Sequence, residues 1–330
     1  MHYLLMGAGF SRNWGGWLAD EAFDYLLGAD EVRQSPALRA LIWRHREEGG
    51  FESALGELMR EHTLGRAEAA DLVGLQAAIV GMFNQMNAGY LDRPTWEWGQ
   101  DVARSVSGFM ARFDALFTLN QDLLLEQHYA PEMFTRPDGG RWLGLELPGM
   151  TRWPGVGDPR ARGLARHNWS AVPPEQFAVG AGMQPLYKLH GSAAWTDRLN
   201  GNMMILGDDK VRAIRMFPIL NWYFEQFEVA LNRGDAKLLV IGYGFRDAHV
   251  NEIIVRAIQD SGLQIYIVDL QGAGIARQLR RNAEGLIPGH RSELELAFER
   301  RLIGASRRPL RDVFGDDQIE RVKLERFFSA

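Results

Sequence analysis

The stretch from Lys237 to Asp269, KLLVIGYGFRDAHVNEIIVRAIQDSGLQIYIVD, decides the fold. Lys237 to Ile241 is a short apolar run that stops at Gly242-Tyr243-Gly244, as a buried strand stops at a tight turn. Val250, Ile253, Ile254, Ala257 and Ile258 then recur at helical spacing. Ile265 to Val268 is a second apolar run, ending at Asp269. Strand, crossover helix and strand of this length make a βαβ unit, and that unit implies a parallel sheet.

The same pattern recurs upstream. Tyr3 to Met6 is apolar and stops at Gly7-Ala8-Gly9; Leu18, Ala22 and Leu26 follow at four-residue spacing, beside Phe23 and Leu27. Ala115 to Leu119 reads as a buried strand ending at Asn120, and Leu186 to Leu189 as a short strand ending at His190-Gly191. The fold expected is α/β, a Rossmann-like parallel sheet with a helical insertion and a mainly helical C-terminal tail. The insertion is expected over about 36–114, where three apolar stripes occur: Phe51, Leu55, Leu58 and Met59; Leu72, Val73, Ile79, Val80 and Phe83; and Val102, Val106, Phe109, Met110 and Phe113. Residues 130–185 are rich in Gly, Pro and Arg with little periodicity and read as loops or a lid. The expected organisation is one main domain over 1–270 and a helical, Arg-rich extension over 271–330, a possible oligomer or partner contact. Arg277, Arg280 and Arg281, and Arg307, Arg308 and Arg311, read as solvated helix faces.

Composition narrows the function. A chain of 330 residues with 46% hydrophobic and 24% charged residues can bury a sizeable core. Its net charge of -5 and the lack of a concentrated basic face argue against direct nucleic-acid binding. With 0 cysteines there is no disulfide, thiol nucleophile or thiolate zinc site. No basic region precedes the short apolar run within Met1 to Phe10, and no run approaches membrane-spanning length, so the chain reads as cytoplasmic, without membrane contact. A Gly-x-Ser-x-Gly elbow, a His-Glu-x-x-His helix and a Gly-x-x-x-x-Gly-Lys phosphate loop are all missing, which weakens those enzyme classes.

Polar or glycine residues follow the carboxyl end of four expected strands, where open parallel sheets bind ligands. Gly7, Ala8, Gly9, Phe10 and Ser11 could let the backbone approach a pyrophosphate, although Arg12 stands where a third glycine would complete a dinucleotide fingerprint. A tight turn explains the same glycines. Asn120 and Asp122 could face a ligand or cap a helix over Leu123-Leu124-Leu125. His190, beside Gly191 and Ser192, has the residue type for a general base near neutral pH. Asp269 could bind ribose hydroxyls or serve as an ordinary turn residue.

Taken in order, Gly7 to Ser11, Thr118 to Asp122, Lys188-Leu189-His190-Gly191 and Gly242-Tyr243-Gly244-Phe245-Arg246-Asp247, with His249 and Asn251, resemble the sirtuin-like NAD-binding family. The last segment resembles the bacterial branch associated with anti-phage defence. The resemblance implies that NAD is the substrate, with Gly7, Ala8, Gly9 and Ser11 on the pyrophosphate and Phe10 beside them. It gives Asn120 and His190 the catalytic roles, Asn120 on the nicotinamide ribose and attacking water, His190 on a ribose hydroxyl. It places Asp122 and Gly191 near the nicotinamide end. Gly242, Tyr243, Gly244 and Phe245 fall on the adenosine side, with Asp247 shaping that loop and Asp269 beyond it. Deacylating sirtuins carry a four-cysteine zinc module that this chain lacks, so no zinc or other metal is expected.

The function expected is NAD hydrolysis to nicotinamide and ADP-ribose, by an effector that depletes NAD in abortive antiviral defence. Such an enzyme has to be held off, so the resemblance implies a homo-oligomer and a separate activator or sensor chain, such as a hexameric translocase-type ATPase or an Argonaute-like protein. The competing readings are an NAD-dependent protein deacylase and a non-catalytic sensor of NAD or an ADP-ribose-type nucleotide.

Overall fold

The computed structural model describes residues 1–47, 49–92, 95–136, 138–153, 159–197, 201–207, 209–275 and 291–329. Arg277, Arg280 and Arg281 lie outside the described residues. The strands are β1 (His2–Met6), β2 (Ala115–Thr118), β3 (Gly144–Glu146), β4 (Met150–Arg152), β5 (Trp169–Ala171), β6 (Met183–Lys188), β7 (Gly191–Asp197), β8 (Gly201–Met204), β9 (Lys237–Ile241), β10 (Gln264–Val268) and β11 (Leu302–Ser306).

Seven of them form one sheet in the order β11-β10-β9-β1-β2-β6-β3. Every pairing in it is parallel. Leu4, Leu5, Met6, Leu116, Phe117, Leu238, Leu239 and Val240 are all fully buried, as expected of central strands covered on both faces. From β1 the chain crosses to β2 on one side; from β9 it crosses to β10 on the other. The connections therefore diverge between β1 and β9, the position where open α/β sheets form a ligand crevice. The strands β4, β5, β7 and β8 make a second, four-stranded sheet.

The helices Pro36–Arg44, Gly50–Thr63 and Ala69–Leu91 pack with Ala19–Gly28 and Asp30–Gln34, which precede them. Helix Ala69–Leu91 buries Leu75, Ala78, Ile79, Met82, Phe83, Met86 and Tyr90 and leaves Val73 and Val80 exposed, a face rotated from the stripe expected. Met59 is likewise exposed. The third stripe is not one helix. Val102–Arg104 is a 3₁₀ turn, and a new helix, Val106–Met110, starts at Ser105, whose hydroxyl accepts from the Gly108 N–H. The Glu97 carboxylate accepts from the Val106 and Ser107 N–H groups at the same helix start. This local capping breaks a pattern that apolar spacing alone makes continuous.

Residues 130–185 hold three short strands rather than only loops: β3 extends the main sheet, and β4 and β5 pair in the second. The C-terminal segment is helical over Glu293–Arg301, Leu310–Phe314 and Gln318–Ser329, and it also supplies the edge strand β11. Its last helix packs against the amino end of β1. The His2 ring meets Phe327 and Phe328 at 5.4 and 5.1 Å, and the Arg112 guanidinium lies 3.5 Å from the Phe328 ring while pairing with Glu325.

Two outcomes follow from this packing. Phe327 is fully buried, so Phe327→Ala should lower unfolding free energy by about 3–5 kcal/mol in a urea titration. Burial, reinforced by the N-terminus, Lys237 and Arg112, pushes the His2 pKa down from 6.5 to about 4. The unfolded chain therefore binds the extra proton first, and stability from this group falls as pH drops from 6.5 towards 4. His2→Gln should flatten that part of the melting-temperature profile relative to wild type.

Candidate active site

The turns after β1 and β9 touch backbone to backbone. The Gly7 N–H donates to the Ile241 carbonyl at 3.0 Å and the Gly9 N–H to the Gly242 carbonyl at 2.9 Å. A Cβ on Gly7 would sit 2.6 Å from the Gly242 oxygen, and one on Gly9 2.7 Å from the Gly242 Cα. Gly242 has φ +60°, and its own Cβ would fall 2.4 Å from Gly9. These three glycines are fixed by contact with one another, whatever ligand lies above them. Gly244 differs: a Cβ there would meet nothing nearer than Arg246 at 3.9 Å. Only five residues, Ala8–Arg12, form the helix after Gly7.

Asn120 and Asp122 reach this turn from β2. The Asn120 side-chain amide donates to the Gly7 carbonyl at 3.0 Å and to the Ser11 hydroxyl at 2.9 Å. The Ser11 hydroxyl donates in turn to Asp122 Oδ2 at 2.8 Å, and Asp122 Oδ1 accepts from the Leu124 N–H at 3.0 Å. Ser11 and Asp122 are thus buried members of a relay; the helix itself runs from Leu124 to His128 with Leu123 at its N-cap, so Asp122 bonds its first N–H from outside the cap position. Asn120 is partly exposed.

A further pair of buried groups, unassigned from sequence, holds the β2 and β6 loops together. Lys188, at the end of β6, donates to the Asp122 carbonyl and sits 2.6 Å from Glu126, both side chains almost wholly buried. Burial pushes the Glu126 carboxyl above its ordinary value, with Lys188 opposing. Gln121 is also buried, and its amide donates to the Ile205 carbonyl and, at 3.4 Å, to that of His190. A lysine inside an apolar strand was the one available sequence signal for this scaffold.

His190 follows β6 and is 3% exposed. Its Nε2 lies 3.1 Å from Nε2 of His249, in the helix Ala248–Ser261 after β9. Burial, aided by Lys210 and His249 and opposed by Asp247, pushes the His190 pKa down to about 3, so its imidazole is neutral at pH 7. Gly191, with φ +73°, packs its Cα against the Met203 carbonyl, where a Cβ would come within 2.0 Å. That contact alone requires glycine.

In the turn after β9, the Tyr243 and Phe245 rings are buried, 4.7 Å apart, with Phe245 also 5.1 Å from Phe298. Both rings pack into the core. Phe245 takes a φ of +52°, a strained value for a side-chain-bearing residue. Asn251 holds it, donating to the Phe245 carbonyl at 2.8 Å while accepting from the Tyr243 hydroxyl at 3.0 Å. Asp247 pairs with Lys210 at 2.7 Å, and Lys210 also pairs with Glu52 of the helix Gly50–Thr63 at 2.6 Å. Burial works against the Lys210 charge, but Glu52 and Asp247 outweigh it and raise its pKa. Asp269 stands at the end of β10, where its Oδ1 accepts from the Gln271 N–H at 2.9 Å, the bond of an ordinary Asx turn.

The loops after β1, β2, β6 and β9 are therefore joined in series by Asn120, Gln121, Lys188 and the His190–His249 contact. A profile of the SIR2-like domain matches residues 114–287, just over half of the chain. The chain belongs to the SIR2-like family. Membership points to NAD as the ligand and to NAD-related chemistry. The matched region includes Asn120, His190 and Gly242 to Asp247; Gly7 to Ser11 lie outside it and are brought in by the pairing of β1 with β2 and β9. No curated protein matches the sequence.

The buried pair gives a direct test of this scaffold. Lys188→Met should cost roughly 3–5 kcal/mol in urea unfolding, because it strands a buried carboxyl and frees the Asp122 carbonyl. Lys188→Met combined with Glu126→Leu should recover much of that loss; equal destabilisation in both variants would mean that the pair is not what holds the loops.

Proposed function

We propose that this SIR2-like protein hydrolyses NAD at the nicotinamide–ribose bond, yielding nicotinamide and ADP-ribose. The supporting observation is that Asn120 and His190 follow adjacent parallel strands, β2 and β6, at the carboxyl edge of the sheet, with Asn120 bonded to the turn after β1. Neither group is needed merely to bind a nucleotide. In this reading the C1′–N bond breaks with its electron pair leaving on nicotinamide, and the ribose gains oxocarbenium character. Asn120 positions the water that forms the new C1′–O bond. His190 accepts a proton from a ribose hydroxyl as charge develops and returns it once the C1′–O bond has formed, and the water's surplus proton passes to solvent. Gly7 to Ser11 carry the pyrophosphate through their backbone, and Gly244, open at its Cβ position, gives the adenosine side room.

Burial of His190 supports a gated enzyme. A base covered to this degree is weak and out of reach of substrate, so the loops around it have to open before chemistry. By the resemblance of the Gly242 to Asp247 segment, we propose an anti-phage NAD-depleting effector held off until triggered, working as a homo-oligomer and opened by a separate activator chain, for which a translocase-type ATPase or an Argonaute-like protein is the candidate. A deacylase reading is weaker, because the sequence has no cysteine for the zinc module of deacylating sirtuins.

Purified protein incubated with NAD, with nicotinamide and ADP-ribose followed by chromatography, should release both products, at a low rate for the isolated chain. Asn120→Ala and His190→Ala should each reduce release at least a hundredfold while NAD still raises their melting temperature. Release unaffected by either substitution would remove these residues from the chemistry, and neither release nor binding would end the NAD reading.

A further inference from the structure

Three donor groups meet at the end of β6 and the start of the helix after β9. One ligand atom each from His190, His249 and Asp247 lies within 4.8 Å of the others. The two imidazoles face each other through Nε2 at 3.1 Å. Two nitrogens bound to one tetrahedral cation at ordinary zinc–nitrogen lengths would stand about 3.3 Å apart, nearly the separation already present.

Donor chemistry points the same way. An imidazole without a proton on Nε2 offers that nitrogen's lone pair to a metal ion. Lys210 pairs with Asp247 and is shared with Glu52. Lys210 holds only Oδ1 of Asp247, and a carboxylate has a second oxygen. The setting is also fixed: His190 is held by its backbone carbonyl, which accepts from the Ile205 N–H at 2.9 Å, and the Phe224 ring stands 5.3 Å from His249 and 6.3 Å from His190.

We infer that His190, His249 and Asp247 form a three-ligand site for a divalent transition cation of the zinc class. Imidazole and carboxylate donors suit such ions, and two histidines with one carboxylate leave a position for water. The missing cysteines exclude a thiolate module and leave this donor set untouched. Occupancy would also regulate the site, a consequence that rests on the NAD-hydrolase reading: coordination takes the Nε2 lone pair that His190 needs as a base, so cation binding and catalysis are mutually exclusive.

The test is uptake of zinc by chelator-treated protein, measured by calorimetry, with cobalt(II) as a spectroscopic probe of coordination. One equivalent per chain is expected, with the visible absorption of a low-symmetry four-coordinate cobalt site. His249→Ala and Asp247→Ala should each weaken uptake at least tenfold, with thermal melting confirming that the variants fold. Lys210→Gln, which removes the competing ammonium, should tighten it. No uptake by wild type, or equal uptake by His249→Ala, overturns the inference even if NAD is cleaved. Uptake weakened by both ligand substitutions supports the site on binding alone. If that bound zinc then leaves NAD cleavage unchanged, the site stands and the base role of His190 falls.

Discussion

The structure depends on how closely the turns after β1 and β9 approach. Gly7, Gly9 and Gly242 touch through main chain, so no side chain can separate the two strands at their carboxyl ends. That contact sets the crevice where the connections diverge. It also places the Gly7 carbonyl where Asn120 can bond to it across 113 residues of chain. Glycine here serves the protein first: its absence of Cβ lets two backbones meet, and any ligand that uses the same surface inherits the geometry.

Around that contact the loops are joined by two kinds of polar link. Asn120, Ser11 and Asp122 form a chain of hydrogen bonds, in which each member both fills a need of its neighbour and fixes its direction. Lys188 with Glu126, and Lys210 between Glu52 and Asp247, are ionic links, the first of them almost wholly buried. Buried charge is costly unless paired, so such links are rigid while intact and strongly unfavourable when half broken. The second link also couples the helical insertion to the turn after β9. A movement of the helix Gly50–Thr63 is thereby felt at Asp247, one residue before the helix that carries His249.

Parts of the fold were legible because buried parallel strands are written as continuous apolar runs. The run Lys237 to Ile241 coincides with β9, and the run Ala115 to Leu119 with β2, which ends one residue earlier at Thr118. Three-residue strands such as β3, β4 and β5 carry no period and were read as loops. The run Val102 to Phe113 looked like one helix because apolar spacing is blind to the Glu97 and Ser105 bonds that start a helix midway. The edge strand β11 was hidden inside a segment read as helical. In the site, the residues at the strand ends were visible, but the packing of the Tyr243 and Phe245 rings into the core was not.

The sequence by itself determined the parallel α/β sheet, the strand ends at which chemistry is placed, and the exclusion of thiolate chemistry. Those features follow from local apolar periodicity and composition, which a linear reading contains. Only the tertiary structure decided that Asn120 bonds to the first turn, that Lys188 is buried against Glu126, and that His190 faces His249 across 59 residues. These pairings arise from the strand order β9-β1-β2-β6, which brings distant strand ends to one edge. Strand order is set by the packing of whole elements, and no short stretch of residues encodes it.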